Sequence, residues 1–236
     1  MTIYHQSQKD RIEAALGFEW DLLPATITRA SDIPSKTSQI NFKRVGKSHR
    51  GIGRCDGLQT LWATSVDQDF LDEICSIKTL DTLYLSGVTA QDLHVVNALP
   101  KLRRLFVVGA SRLKDLAWLP TQQSLKYLAI ENLKLVHDLS PLSQLVQLQS
   151  LAVEGSMWTP MRVSCLKPLS NLTLLKALFI TNLRVEDRSL QPLYTLGQLE
   201  ILQCARFFSR AEFMRLSAAQ PKLRCSWFEA ENWNAT

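Results

Sequence analysis

The chain has 236 residues, 46% of them hydrophobic and 21% charged, with a formal net charge of +5. That is enough apolar material for a continuous core, and no run approaches the roughly 18–20 uninterrupted apolar residues that a membrane span needs. The five cysteines (Cys55, Cys75, Cys165, Cys204 and Cys225) are odd in number and lack CxxC or Cys/His zinc spacing, which argues against a disulfide scaffold or a structural zinc.

Taken in chain order, residues 1–57 are non-repetitive and read as an amino-terminal cap. Their start is polar where a signal peptide would place its apolar stretch. With unpaired cysteines suiting a reducing compartment, the expected localisation is cytoplasmic. Ile12, Leu16 and Trp20 fit one face of a helix over residues 10–23, ended by Pro24. Residues 29–54 carry seven basic side chains against the single acid Asp32, a local +6 that exceeds the +5 of the whole chain. Within them QINFKRV, residues 39–45, alternates apolar and polar and predicts a strand, placed beside the segment that begins at Leu58. Gly46-Lys47-Ser48 is not a phosphate-binding loop, because Asn41 stands where its first glycine would be.

From Leu58 onward a pattern L-x-x-L-x-[L/V/I] recurs, beginning at Leu58, Leu80, Leu102, Leu125, Leu148, Leu175 and Leu199, with a degenerate copy at Leu223. The intervals are 22, 22, 23, 23, 27, 24 and 24 residues. Positions 3 and 5 of each unit obey the period of a strand, while position 0 turns inward at the corner where the chain enters it. Between strands a second echo runs DLSPL, CLKPL and SLQPL from Asp138, Cys165 and Ser189. A proline at this fixed place suits the first turn of a short helix, where its missing N–H costs nothing. Each unit buries its leucines only against its neighbours, so a stack is stable where one copy is not.

On these residues the chain resembles the leucine-rich-repeat family. The stretch DLSPLSQLVQLQSLAV is similar to the short-repeat subclass that includes the internalins and a phosphatase regulator. The likeness covers about three quarters of the chain. It implies an α/β solenoid with a curved parallel sheet on the concave side and short helices or turns on the convex side. It departs from the family at relative position 8, where the usual asparagine is replaced by Val66, Val88, Ala110, Leu133, Ser156, Leu183 and Phe207; Asn132 and Asn182 stand one position earlier. The expected organisation is a cap over 1–57, a solenoid over 58–228 and a tail over 229–236, with Trp227, Phe228 and Trp233 closing the carboxyl end. The longest interval holds a loop with Trp158 between two methionines, a place where solenoids often bind.

Relative position 4, read down the stack, gives Trp62, Tyr84, Phe106, Ala129, Ala152, Phe179 and Gln203 on the concave face. The aromatics are expected to stand largely outside the core, and exposed aromatic patches anchor interfaces. With Arg104, Tyr127 and Glu131 at their margin, and Trp158 on its loop, they are the candidate partner-binding residues. Cross-strand aromatic ladders also stabilise sheets by themselves. The histidines (His5, His49, His94 and His137) have no supporting set with catalytic or metal-ligand spacing. The expectation is therefore a non-enzymatic protein-interaction module (regulator, adaptor or toxin-neutralising) with no catalytic residues, metal, cofactor, membrane contact or small-molecule substrate. The alternative is a nucleic-acid-associated protein using the basic segment, which steep salt dependence would reveal.

Overall fold

A computed structural model describes residues 23–233; the helix expected over 10–23 lies almost wholly outside them. Among the described residues, strands form at β1 (Thr26–Ile27), β2 (Gln39–Lys43), β3 (Thr60–Thr64), β4 (Thr82–Ser86), β5 (Arg104–Val108), β6 (Tyr127–Glu131), β7 (Ser150–Glu154), β8 (Met161–Val163), β9 (Ala177–Ile180), β10 (Leu183–Val185) and β11 (Ile201–Cys204). Nine of them make one sheet in the order β1-β2-β3-β4-β5-β6-β7-β9-β11, every neighbour parallel. The first seven repeat copies each begin two residues before one of these strands, and the eighth adds a bridge between Ile201 and Arg224. The strand expected in residues 39–45 is β2, paired with β3. Strands β8 and β10 make a separate parallel pair.

The repeat residues form the core for the reason their spacing suggests. Leu58, Leu61 and Ala63 are fully buried, as are their counterparts Leu80, Leu83 and Leu85, and one apolar cluster runs from Ile40 to Cys225. Backbone groups close the stack from one unit to the next: Asp81 and Thr82 both donate to the Gln59 carbonyl, Arg103 and Arg104 to Asp81, Lys126 and Tyr127 to Arg103. Every repeat thus holds its neighbour at the same corner.

The departure at position 8 has a physical account. Position 7 turns the chain in the left-handed region: Ser65 (φ 64°), Gly87 (60°), Gly109 (69°), Asn132 (58°) and Asn182 (52°). These are residue types that tolerate that conformation. Their N–H groups reach the next unit, Ser65 to the Ser86 carbonyl, Gly87 to Val108, Gly109 to Glu131 and Asn132 to Glu154. Position 8 then points inward, and Val66, Val88, Ala110 and Leu133 are fully buried there. With the turn satisfied by backbone, an asparagine side chain has no task at that place.

On the outer side the chain makes 3-10 turns at His94–Ala98, Leu119–Thr121, Ser140–Gln144, Lys167–Asn171 and Gln191–Thr195, four of them with proline in the first two positions. A short polar side chain caps the entry. Asp92, Asp115 and Asp138 accept from the N–H two residues on, at 2.7, 3.0 and 2.8 Å, and the Ser189 hydroxyl does the same at 3.2 Å. Cys165 holds the equivalent place in its repeat.

Among the described residues, two helices stand in the outer row, one after β3 and one after β11. Helix α1 (Gln68–Cys75), capped by Asp67 accepting from the Phe70 N–H, replaces the outer turn of the first repeat and buries Phe70, Leu71 and Ile74. Helix α2 (Arg210–Ala219), capped by Ser209, buries Phe213 and Leu216. Phe213 lies 6.3 Å from Trp227 and 5.7 Å from Trp233, ring centre to ring centre, and the indole N–H groups of Trp227 and Trp233 donate to the Cys204 and Trp227 carbonyls.

Candidate functional site

Strand alternation sends positions 2, 4 and 6 to the concave side. Register places Asn41, Trp62, Tyr84, Phe106, Ala129, Ala152, Phe179 and Gln203 in one row across eight strands. The row is distinct from the solenoid core. Trp62 and Phe106 form their own cluster with Tyr84 and Ala129, and Ala152, Ala177 and Phe179 form another with Ala129 and Ile201.

In one respect the row differs from expectation. Trp62, Phe106 and Phe179 are only 7, 4 and 2% exposed. Tyr84 and Phe106 pack with ring centroids 6.0 Å apart, and Phe179 lies in a cluster with Ala152 and Ala177. Trp62, Tyr84, Phe106 and Gln203 are engaged in further contacts. The aromatics are therefore outside the main core, yet covered.

What the concave face presents is its margin. Arg104 and Tyr127 are paired in register at position 2. The Arg104 guanidinium lies 5.1 Å from the centre of the Tyr127 ring and 2.8 Å from the Asp81 carboxylate. Arg103 reaches the same carboxylate at 3.7 Å. Across the row at position 6, Glu131 and Glu154 are register partners. Burial raises the Glu131 carboxyl above the usual glutamate range. Burial also raises Glu154, against a Thr181 hydrogen bond that pulls it down and with neighbouring Glu131 adding to the rise. Arg104, Tyr127, Glu131 and Glu154 are half-buried. At the end where the strands begin, a polar groove of about 730 Å³ runs past Thr79, Asp81, Lys101, Arg103 and Arg104.

Structure thus brings together seven of the eight candidates, Trp62, Tyr84, Phe106, Arg104, Tyr127, Glu131 and Phe179, on one face. Trp158 stands apart, on the turn after β7. It is 87% exposed and Met157 83%. The turn is fixed by the Ser156 N–H donating to the Thr159 carbonyl at 2.9 Å and by the Thr159 N–H donating to the Ser156 hydroxyl at 3.0 Å. Asp81 was not among the candidates. Its signal was an acid and a base at adjacent repeat positions one interval apart, meaningful only once the register is known.

The basic segment is partly neutralised by the helix beside it. Arg44 meets Asp67 at 3.0 Å, Arg50 meets Asp69 at 2.6 Å and Glu73 at 3.8 Å, and His49 contacts Asp69 at 3.0 Å. Glu73 also accepts from the Gly51 and Gly53 N–H groups. Among the described residues, no group of three or more His, Cys, Asp or Glu side chains could hold a metal ion, and no helix is long and apolar enough to cross a membrane.

No family model matches the chain, and no curated protein does. Among solved structures it is similar to an internalin (inlF) from Listeria monocytogenes, with a TM-score of 0.59 and 18% identity over 78% of this chain and 53% of that one. It is also similar to internalin C2 (inlC2) from the same organism, with a TM-score of 0.52 and 18% identity over 83% of this chain and 84% of that one. The chain thus spans about half the length of the inlF structure. At these identities the likeness speaks for the fold, which is an α/β leucine-rich-repeat solenoid.

Proposed function

We propose that the protein is a non-enzymatic interaction module that binds a partner protein across the concave face, with the Arg104–Tyr127 pair and the Glu131–Glu154 pair as the contacting margin. One observation carries this reading: the concave face holds an apolar layer separate from the core. The layer lies outside the core that the strands and outer turns build together, and charged side chains border it. Arg and Tyr are enriched among the residues that dominate protein interfaces, and Arg104 and Tyr127 remain partly exposed at this margin beside the two glutamates. Regulator, adaptor and toxin-neutralising roles all use such a surface.

The test is affinity capture from a nuclease-treated lysate, comparing the wild type with Arg104→Ala/Tyr127→Ala/Glu131→Ala shown to be folded by circular dichroism. A protein retained by the wild type and lost by the variant supports the reading. The same partner retained equally by both, or only nuclease-sensitive material on the wild type, contradicts it.

A further inference from the structure

Beside the β8–β10 pair, three arginines that have no carboxylate partner among the described residues line one concavity. In the β8–β10 pair, Met161, Val163, Leu183 and Val185 are buried in the core, so Arg162 and Arg184, register partners, both point outward. Arg188 follows in the turn after β10, its N–H donating to the Val185 carbonyl at 3.1 Å. Its guanidinium lies 5.5 Å from the centre of the Phe207 ring. These four side chains, with Val185 and Glu186, line a concavity of about 210 Å³.

Two features here run against stability. Like charges directly opposite each other on neighbouring strands repel. Arg188 adopts φ 49°, a left-handed conformation that asparagine or glycine takes more cheaply. Nor does the surrounding structure compensate. Arg44, Arg50, Arg103, Arg104 and Arg215 each have a carboxylate partner. Among the described residues Arg162, Arg184 and Arg188 have none. Asp187, the acid beside them in sequence, is occupied by the Ser189 N–H at 3.1 Å. That leaves Glu186 as the one carboxylate among the described lining residues.

We propose that this concavity recognises a phosphorylated side chain of a partner protein. Guanidinium forks match oxyanions bidentately, and a phosphate monoester offers three terminal oxygens to three such forks, where a carboxylate offers two. The volume is below the roughly 300–1,000 Å³ typical of sites for whole small molecules, so the space suits a group carried on something larger. Phe207 supplies an apolar wall for the carbon atoms behind the phosphate. This inference shares with the proposed function the premise of a protein partner, but it uses a different surface and different residues.

The experiment titrates the full chain with a five-residue peptide carrying one phosphoserine among alanines, with its unphosphorylated twin, and with an RNA oligonucleotide. Saturable binding of the phosphopeptide alone is expected, weakened at least about tenfold by Arg162→Gln/Arg184→Gln and competed by phenyl phosphate. Arg188→Asn should weaken binding while leaving the melting temperature equal or higher, a combination that a purely structural arginine would not give. The concave-face variant Arg104→Ala/Tyr127→Ala/Glu131→Ala should bind the phosphopeptide as the wild type does, so the two readings fail separately. Equal binding of the unphosphorylated peptide, no effect of the arginine substitutions, no phosphopeptide binding, or tighter binding of the RNA would each overturn the proposal.

Discussion

At the scale of single residues, the concave margin sets its acids against their environment in a way that pH reads directly. Glu131 and Glu154 are raised by burial, so the folded state holds their protons more tightly than the unfolded chain does. Their contribution to stability is present below the ordinary glutamate range and is lost as pH rises through the raised values. The capping acids behave oppositely. Asp92 is lowered first by the hydrogen bond from the His94 N–H, and Asp138 by bonds from the Ser140 hydroxyl and N–H, so their contribution is lost as pH falls. Glu154→Gln should accordingly raise the melting temperature at about pH 7 and change it little at about pH 4. An equal effect at both would mean that the carboxyl is not raised. The structure also shows why the sequence reading of this face was partial. Alternation put Trp62, Tyr84 and Phe106 in one row, but how far those rings are covered depends on side-chain packing that no repeat interval encodes.

Among the elements, the outer turns show how one repeat position does the same work with different chemistry. Asp92, Asp115, Asp138 and Ser189 each satisfy an N–H at the entry to a 3-10 turn, and Cys165 holds the same position with a thiol. Cys165→Asp should supply the missing acceptor for the Lys167 N–H and stabilise the protein by about 0.5–1 kcal/mol, measured by urea unfolding. No gain would show that this turn is satisfied in another way. Gly155 makes the contrasting case. A Cβ there would stand 2.5 Å from the Asn182 carbonyl oxygen and 2.6 Å from that of Thr159. Both are backbone atoms that cannot swing aside, so Gly155→Ala should cost about 1–3 kcal/mol and disturb the Trp158 turn. A neutral substitution would contradict the close approach. The repeated DLSPL, CLKPL and SLQPL made the turns legible through their prolines. The capping role of their first residue was present in the same letters, but emerged only when the hydrogen bonds were placed.

Across the whole molecule, stability passes from unit to unit, because each repeat contacts only its neighbours. The ends then matter more than their size suggests. Phe213 is fully buried beneath Phe208, Trp227 and Trp233, where the last strand would otherwise expose its apolar face. Phe213→Ala should cost about 3–5 kcal/mol, and hydrogen exchange should rise first around β11 and last around β5. Uniform loss across the sheet would mean that the stack unfolds as one unit. At this scale the sequence was most informative. Near-equal spacing of Leu58, Leu80 and Leu102 sets both the strand and its register, so strand order came directly from it. Helix α1 was not foreseen, since QDFLDEIC stands where the next five repeats place a 3-10 turn.

The central claim, a protein partner on the concave face, is tested most directly by hydroxyl-radical footprinting of the protein alone and bound to the partner that capture yields. Tyr127 and Trp158 report on two separate surfaces, one at the margin of the aromatic row and one on the exposed turn. The account predicts that the partner protects Tyr127 from oxidation and leaves Trp158 as reactive as before. Protection of Trp158 with Tyr127 unchanged would contradict it.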